Sequence, residues 1–129
     1  MKPPAVLNSI PTPGWRLLAW LGVLVVLNLS LMPLHVPAPL EFWNSDKLVH
    51  VGMYATLMLC FGRGYPPAYW WRIAFALGGL GLVIECLQGL MPTRQASLLD
   101  ECANASGVAI MLWVLKRTPG ASATSIQID

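Results

Sequence analysis

The sequence predicts an all-α fold: a polytopic integral membrane protein built as a four-helix transmembrane bundle. Hydrophobic residues make up 56% of its 129 residues and charged residues only 11%, and the mean hydropathy is +0.60. A soluble domain needs a polar coat, and charged residues usually form about a quarter of such a domain. Lipid must therefore cover most of this surface. The six Trp residues agree, because Trp favours the membrane interface.

Four apolar runs occupy most of the chain, and crossing a bilayer takes about 20 helical residues. A Pro- and Gly-rich segment, residues 1–14, precedes them and is predicted to be an irregular cytoplasmic tail. The first run exceeds the core of a signal peptide, which is about 7–15 residues long, so we interpret it as a span. Residues 15–116 would form one membrane domain and residues 117–129 a cytoplasmic C-terminal tail. The predicted spans are about residues 15–34, 47–62, 69–90 and 99–115.

The basic residues predict an orientation, because cytoplasmic loops carry an excess of Lys and Arg. One side carries Lys2, Arg16, Arg63, Arg72, Lys116 and Arg117, and the other only Lys47 and Arg94. We therefore expect a multi-pass protein of the plasma membrane with both termini in the cytoplasm. The net charge of +2 and the lack of a basic patch give no reason to expect a nucleic-acid partner.

The three cysteines do not predict a disulfide framework or a zinc finger, because their number is odd and no C-x-x-C spacing occurs. Cys60, Cys86 and Cys102 all lie in apolar stretches, which is typical of buried cysteines. A single Cys86–Cys102 bridge stays open, since both residues would lie near the same face of the membrane.

Polar residues converge on the outer end of the predicted bundle. Spacings of three and four place side chains on one face of a helix, and three spans show such spacings near this end. The predicted ligand-binding set is Asp46, Lys47, His50, Tyr54, Glu85, Gln88, Arg94, Asp100 and Asn104. Small residues in the third and fourth spans, including Gly81 and Gly107, predict close helix packing.

Glu85 is the most informative member of this set. A carboxylate inside an apolar span costs several kcal/mol unless it is paired or protonated. Arg94, Lys47 and His50 are the expected partners, because they lie at the same depth or just above it. An ionisable group within a membrane span indicates a functional site by default.

Several of these residues also have a purely structural interpretation. Asp46 can cap the second helix, and Ser97 with Asp100 has the spacing of a capping box. Lys47 can extend to the membrane surface, and Asn104 can hydrogen-bond between helices. What favours a site is that several residues that are costly to bury share one end of the bundle.

The combined spacing of these residues forms a motif that is more specific than any one of its parts. It reads Asp46-Lys47-x-x-His50, followed by Glu85-x-x-Gln88-x-x-x-Pro92-x-Arg94-x-x-Ser97-x-x-Asp100-x-x-x-Asn104-x-x-Gly107. This motif resembles the VanZ-like family of bacterial membrane proteins over about residues 40–115. The resemblance implies a small helical protein of the bacterial cell envelope, and it implies no known reaction. The name-giving member is linked to resistance to teicoplanin, a lipid-bearing glycopeptide antibiotic.

We therefore expect an outward-facing polar pocket that binds a lipid head group, a cell-wall precursor or a lipophilic glycopeptide. Lys47 and Arg94 would attract phosphate, while Gln88 and Asn104 would fix the orientation of the ligand. The expected partners are membrane lipids or lipid-linked envelope precursors, with envelope proteins as further candidates.

Alternative functions stay open. In a membrane-embedded hydrolase or transferase, His50 would act as acid or base beside Asp46 or Asp100, with Glu85 tuned by burial. The candidate catalytic residues are thus His50, Glu85 and Asp100. The same three side chains could ligate zinc or manganese, but their spacing is not diagnostic of a metal site. Neither a metal nor a cofactor is predicted. In a structural protein of an envelope complex, the polar residues would only hold the helices together.

Overall fold

The structure, a computed structural model, describes residues 10–32, 45–92 and 96–118, with residues 45 and 46 described by their backbone alone. Within this part of the chain every regular element is helical, which confirms the predicted all-α class. Each long helix has 20 residues and is about 30 Å long, matching the hydrocarbon core of a bilayer. The helices are α1 (Thr12–Leu31), α2 (Ser45–Gly64), α3 (Trp70–Gly89) and α4 (Leu98–Arg117). A 3-10 turn at Pro67–Tyr69 leads into α3.

The ends of α1 differ from the predicted span, and local backbone rules explain both differences. The helix begins at Thr12, inside the segment predicted to be irregular. Pro13 fits there, because the N–H groups of a first turn have no partner within the helix. At the other end the helix finishes at Leu31, since Met32 precedes a proline and is extended, with φ −74° and ψ 143°.

Three of the helical segments are long and apolar enough to cross a membrane: Thr12–Leu31, Pro67–Gly89 and Leu98–Arg117. The outer surface of the described helices agrees with this assignment. Phe75, for example, is 76% exposed, and large apolar side chains cover the outside of α1, α3 and α4. The chain is therefore a membrane-spanning protein.

Polar side chains on this outer surface are satisfied within their own helices. Asn28 donates to the carbonyl of Leu24 at 2.9 Å, and Thr56 donates to the carbonyl of Gly52 at 2.7 Å. Ser106 likewise bonds back to a carbonyl four residues earlier, at 2.7 Å. Such bonds let a polar residue face an apolar solvent, because its donor is not left without a partner.

Helix α2 is less apolar than the other three, and its position in the fold explains why. It packs against α1, α3 and α4, so more of its surface faces protein. The backbones of α2 and α4 approach closely at Gly107, where an added Cβ would overlap the carbonyl oxygen of Val51. Tyr54 and Met58 are almost completely buried at the centre of the packing. A helix shielded in this way can carry polar residues that lipid would not tolerate.

The three cysteines are all free. Cys60 is buried, whereas Cys86 and Cys102 are exposed on α3 and α4. The Cys86–Cys102 bridge that the sequence left open is therefore not formed.

At one end of the helices, which we call the basic end, cationic side chains lie over aromatic rings. Arg63 lies over Trp15, Arg72 over Tyr69, Lys116 over Trp71, Arg117 over Trp113 and Arg16 over Tyr65, at 4.2–5.7 Å from the ring centroids. Side chains from other helices also cap the end of α2, since Arg16 Nε donates to the carbonyl of Gly64 at 2.7 Å. Trp70 Nε1 donates to the carbonyl of Gly62 at 3.0 Å. These contacts fix α1 and α3 against the end of α2.

Candidate functional site

The opposite end of the helices, which we call the polar end, collects the polar residues. The ends of α1 and α3 meet the beginnings of α2 and α4 there, because successive helices run in opposite directions. The resulting group of side chains, which we call the polar cluster, comprises Lys47, His50, Tyr54, Glu85, Gln88, Asp100, Glu101 and Asn104.

An ion pair joins the beginnings of α2 and α4. Lys47 Nζ lies 2.6 Å from Asp100 Oδ1, and the two side chains are 27% and 17% exposed. The pair is therefore partly accessible from outside the protein. Immediately beside it, the surface between α2 and α4 forms a groove of about 370 Å³ lined by Lys47, Leu48, Val51, Leu99 and Ala103. The groove thus has a cation at one end and apolar walls below it.

His50 lies one turn deeper and bonds to a buried amide. Its Nδ1 is 2.8 Å from Asn104 Oδ1, and Asn104 Nδ2 donates to Glu101 Oε2 at 3.4 Å. Because the amide nitrogen of Asn104 faces Glu101, its oxygen accepts from the imidazole, so Nδ1 of His50 carries the hydrogen. The other ring nitrogen, Nε2, lies 3.9 Å from Asp100 Oδ2. Nε2 is thus the nitrogen that remains to exchange a proton.

Glu85 caps α4 from a different helix. It is only 4% exposed, and its Oε2 accepts the backbone N–H of Ser97 at 2.9 Å. Ser97 is the N-cap of α4, and its own hydroxyl accepts the N–H of Asp100 at 3.3 Å. In a capping box, the residue in the position of Asp100 would bond the Ser97 N–H. Because Glu85 takes that N–H, Asp100 is available to Lys47.

Two buried oxygens of the cluster have no hydrogen-bond partner among the described residues: Glu85 Oε1 and the Tyr54 hydroxyl. The Tyr54 hydroxyl faces Gly81 on α3: a Cβ added at Gly81 would lie 3.3 Å from the hydroxyl oxygen. The same Cβ would lie 2.6 Å from Glu101 Oε2 and 3.0 Å from Asn104 Nδ2. Gly81 therefore provides the space in which three polar side chains from two helices meet.

Gln88 connects α3 to α1. Its Nε2 donates to the carbonyl of Ser30 at 2.7 Å, and both residues are buried. This bond satisfies a carbonyl in the last turn of α1, where no intrahelical donor is available. All four helices thus contribute to the polar end.

The structure brings together most of the residues that the sequence singled out. Two predictions lie outside the described residues: Arg94, and the side chain of Asp46. Sequence reasoning did not include Glu101 in the site and assigned Gly81 to helix packing alone, although the spacing of both residues carried a signal. Glu101 is three residues before Asn104, and Gly81 is four residues before Glu85, so each pair shares a helix face.

A metal site at His50, Glu85 and Asp100 has no support in the described part of the chain, where no group of three His, Cys, Asp or Glu residues could hold an ion. His50 instead bonds to Asn104, and Glu85 bonds to a backbone N–H. The chemistry that the described arrangement offers is ionic contact with a charged group and proton exchange at His50.

Comparisons with protein-family models, with curated proteins and with solved structures find no match to this chain. The resemblance of its motif to the VanZ-like family therefore stays a prediction. The assignment of a function rests on the residues of the two ends and on their geometry.

Proposed function

We propose that this chain is a VanZ-like integral membrane protein of the bacterial cell envelope whose polar end binds the head group of an acylated envelope molecule. Suitable molecules include a membrane lipid and a lipid-linked wall precursor, and a lipid-bearing glycopeptide combines the same features. All of them join a polar, often anionic head to a hydrocarbon chain. A site for such a molecule needs a cation, further polar groups and an apolar groove in one place.

In this proposal α2 also crosses the membrane, giving a four-helix transmembrane bundle. What supports it is the length of α2, 20 residues, and its packing against the other three helices. The basic end would face the cytoplasm of the cell, because its Lys and Arg residues outnumber those of the polar end. Both termini would then be cytoplasmic, and the polar cluster would face outward.

The observation that carries the proposal is the groove between α2 and α4 with Lys47 at its end. A phosphate beside Lys47 Nζ would leave an acyl chain against Leu48, Val51 and Leu99. Asp100, which accepts from Lys47 at 2.6 Å, would also accept from the hydroxyl or amine groups of the same head group. The ion pair would thus be extended by the ligand and not broken by it.

The test is Lys47→Gln, compared with Lys116→Gln as a control at the basic end. Native mass spectrometry of gently extracted protein would report the bound lipids, and titration into nanodiscs of defined composition would report affinity. We expect Lys47→Gln to weaken retention of the bound envelope lipid about tenfold, the effect of losing one charged contact of roughly 1.4 kcal/mol. Lys116→Gln should change it less than twofold.

The result of this test also separates the proposal from a structural role. An unchanged lipid profile in Lys47→Gln would contradict the proposal. If that variant lost stability without any change in bound lipid, the polar cluster would be assigned to holding the helices together, as expected of a structural partner in an envelope complex.

The geometry of His50 favours a second candidate, a hydrolase or transferase acting on an envelope lipid. With Nδ1–H donated to Asn104, Nε2 is directed toward Asp100 at the accessible side of the cluster. Nε2 would take a proton from an attacking water, whose oxygen bonds to the phosphorus or acyl carbon while the leaving oxygen recovers the proton.

The expected result for this second candidate is loss of turnover in His50→Ala by about 10²–10⁴-fold, the usual contribution of a general base. The assay would incubate the reconstituted protein with total envelope lipids and follow products by lipid mass spectrometry. His50→Ala would be compared with Thr56→Ala, on the outer face of the same helix. Products that form equally with both variants would rule out His50 as the base.

A further inference from the structure

The basic end has a groove that the proposed function does not use. It lies between α1 and α3, encloses about 830 Å³, and we call it the α1–α3 groove. Val23 of α1, Phe61 of α2 and Leu80 of α3 are among the apolar side chains that line it, and Arg16 and Arg72 lie at its basic end. Ligand pockets in proteins usually have volumes of about 300–1,000 Å³, so this groove can hold a ligand of substantial size.

The positive charge at this end of the groove is held in place by aromatic rings. Arg16 lies 4.6 Å from the ring centroid of Tyr65, and its Nε is fixed on the carbonyl of Gly64. Its terminal amino groups are the ones that would meet an anion. Arg72 is exposed and lies 5.7 Å from the ring centroid of Tyr69. None of the described residues that line the groove is acidic.

Helix direction adds to this charge. Helices α1 and α3 both begin at the basic end, with Arg16 near the start of α1 and Arg72 in the first turn of α3. The first N–H groups of a helix carry a partial positive charge, so the N-terminus of α3 adds to the charge of the two guanidinium groups. An anionic group is the complement of this arrangement.

We propose that the α1–α3 groove binds an anionic phospholipid, with the phosphate between Arg16 and Arg72 and an acyl chain along Leu77 and Leu80. The eight residue-to-residue rises from Arg72 to Leu80 span about 12 Å of helix. One leaflet contributes roughly 15 Å of hydrocarbon, half of a core of about 30 Å, so the groove accommodates most of one chain within its leaflet. This proposal does not depend on the polar cluster, which lies at the other end of the helices.

The first experiment tests the charge. The purified full chain would be placed in nanodiscs of phosphatidylcholine containing a small fraction of phosphatidylglycerol, and the lipids retained on gentle release would be counted by native mass spectrometry. We expect retention of phosphatidylglycerol over phosphatidylcholine, and a loss of about tenfold in that preference in Arg72→Gln. Arg117→Gln is the matched control, because Arg117 lies at the same end over Trp113 but outside the groove. A preference that survives Arg72→Gln, or falls equally in Arg117→Gln, would overturn the proposal.

The second experiment tests the acyl chain. Ala76 is exposed and lines the groove, so Ala76→Phe would place a ring in the proposed path of the acyl chain without disturbing the buried contacts of α3. Ala109→Phe, on the exposed face of α4, is the control for adding the same ring elsewhere. We expect Ala76→Phe, but not Ala109→Phe, to abolish the preference for phosphatidylglycerol. Binding of soluble glycerol phosphate, which has no acyl chain, should be the same in both variants as in the unsubstituted protein. If Ala76→Phe keeps the preference, the site holds only a phosphate at the surface, and the lipid proposal fails.

Discussion

Gly107→Ala is expected to lower the free energy of unfolding by about 2 kcal/mol, within the range of 1–3 kcal/mol typical of overpacking. The added Cβ would overlap the carbonyl oxygen of Val51 and would lie 3.1 Å from the backbone nitrogen of Ala55. Both atoms belong to the backbone of α2, so no side-chain rotation can relieve the overlap. The two helices would have to separate at this contact. Equilibrium unfolding in mixed micelles, followed by Trp fluorescence, measures the loss.

Gly52→Ala is the matched control, because Gly52 lies on the same helix pair and has no heavy atom within 4 Å of the position of an added Cβ. Alanine is a better helix former than glycine by about 1 kcal/mol, so this variant should be unchanged or slightly more stable. The two substitutions are chemically identical and differ only in the space around them. Equal losses in both variants would show that the α2–α4 crossing is not as close as described.

The small residues that predict helix packing do not all pack closely. Gly107 and Gly81 have neighbours within 3 Å of an added Cβ, whereas Gly78 and Gly79 have none within 4 Å. The sequence shows that such residues are present, but their contact depends on which face of α3 meets a neighbour. That rotation is set by tertiary packing, so composition alone could not separate these glycines.

Much of the polar cluster was predictable from helical spacing. Pairs such as Lys47 with His50 and Asp100 with Asn104 share a helix face, and alternation of helix direction brings those faces to one end. The individual bonds were not predictable. For Glu85 the sequence suggested cationic side chains, whereas the structure places the N–H of Ser97 on Oε2. The first N–H groups of a helix have no partner within the helix, and they can bond to a side chain of another helix. Such backbone donors cannot be identified from the types of the side chains.

The predicted span at residues 47–62 shows a related limit of hydropathy reasoning. Helix α2 does not meet the apolarity of the other three, because Lys47, His50 and Arg63 lie near its ends. Hydropathy treats each helix as if lipid surrounded it. A helix among three others is surrounded mainly by protein, and its polar residues bond to those neighbours, as Lys47 and His50 do on α4.

Glu85→Ala is expected to cost about 1.5 kcal/mol of stability, since a half-buried N–H at a helix start loses its acceptor and the loss of a helix cap costs roughly 0.5–2 kcal/mol. The N–H in question belongs to Ser97, at the start of α4. Removing the carboxylate also removes an oxygen, Oε1, that is buried without a partner among the described residues. Removing Oε1 should stabilise the protein, whereas removing the acceptor of the Ser97 N–H should destabilise it. The measured change in the free energy of unfolding shows which of these two effects is larger.

Glu85→Gln separates the cap from the charge, because the amide oxygen can still accept the Ser97 N–H while the side chain is neutral. We expect this variant to stay within about 1 kcal/mol of the unsubstituted protein, the net value of a single hydrogen bond. Cys86→Ala, on the exposed face of the same turn, controls for truncation and should have little effect. If Glu85→Gln lost as much stability as Glu85→Ala, the negative charge would be the stabilising feature. If neither variant lost stability, α4 would not depend on Glu85 for its cap, and the carboxylate would be available for a ligand.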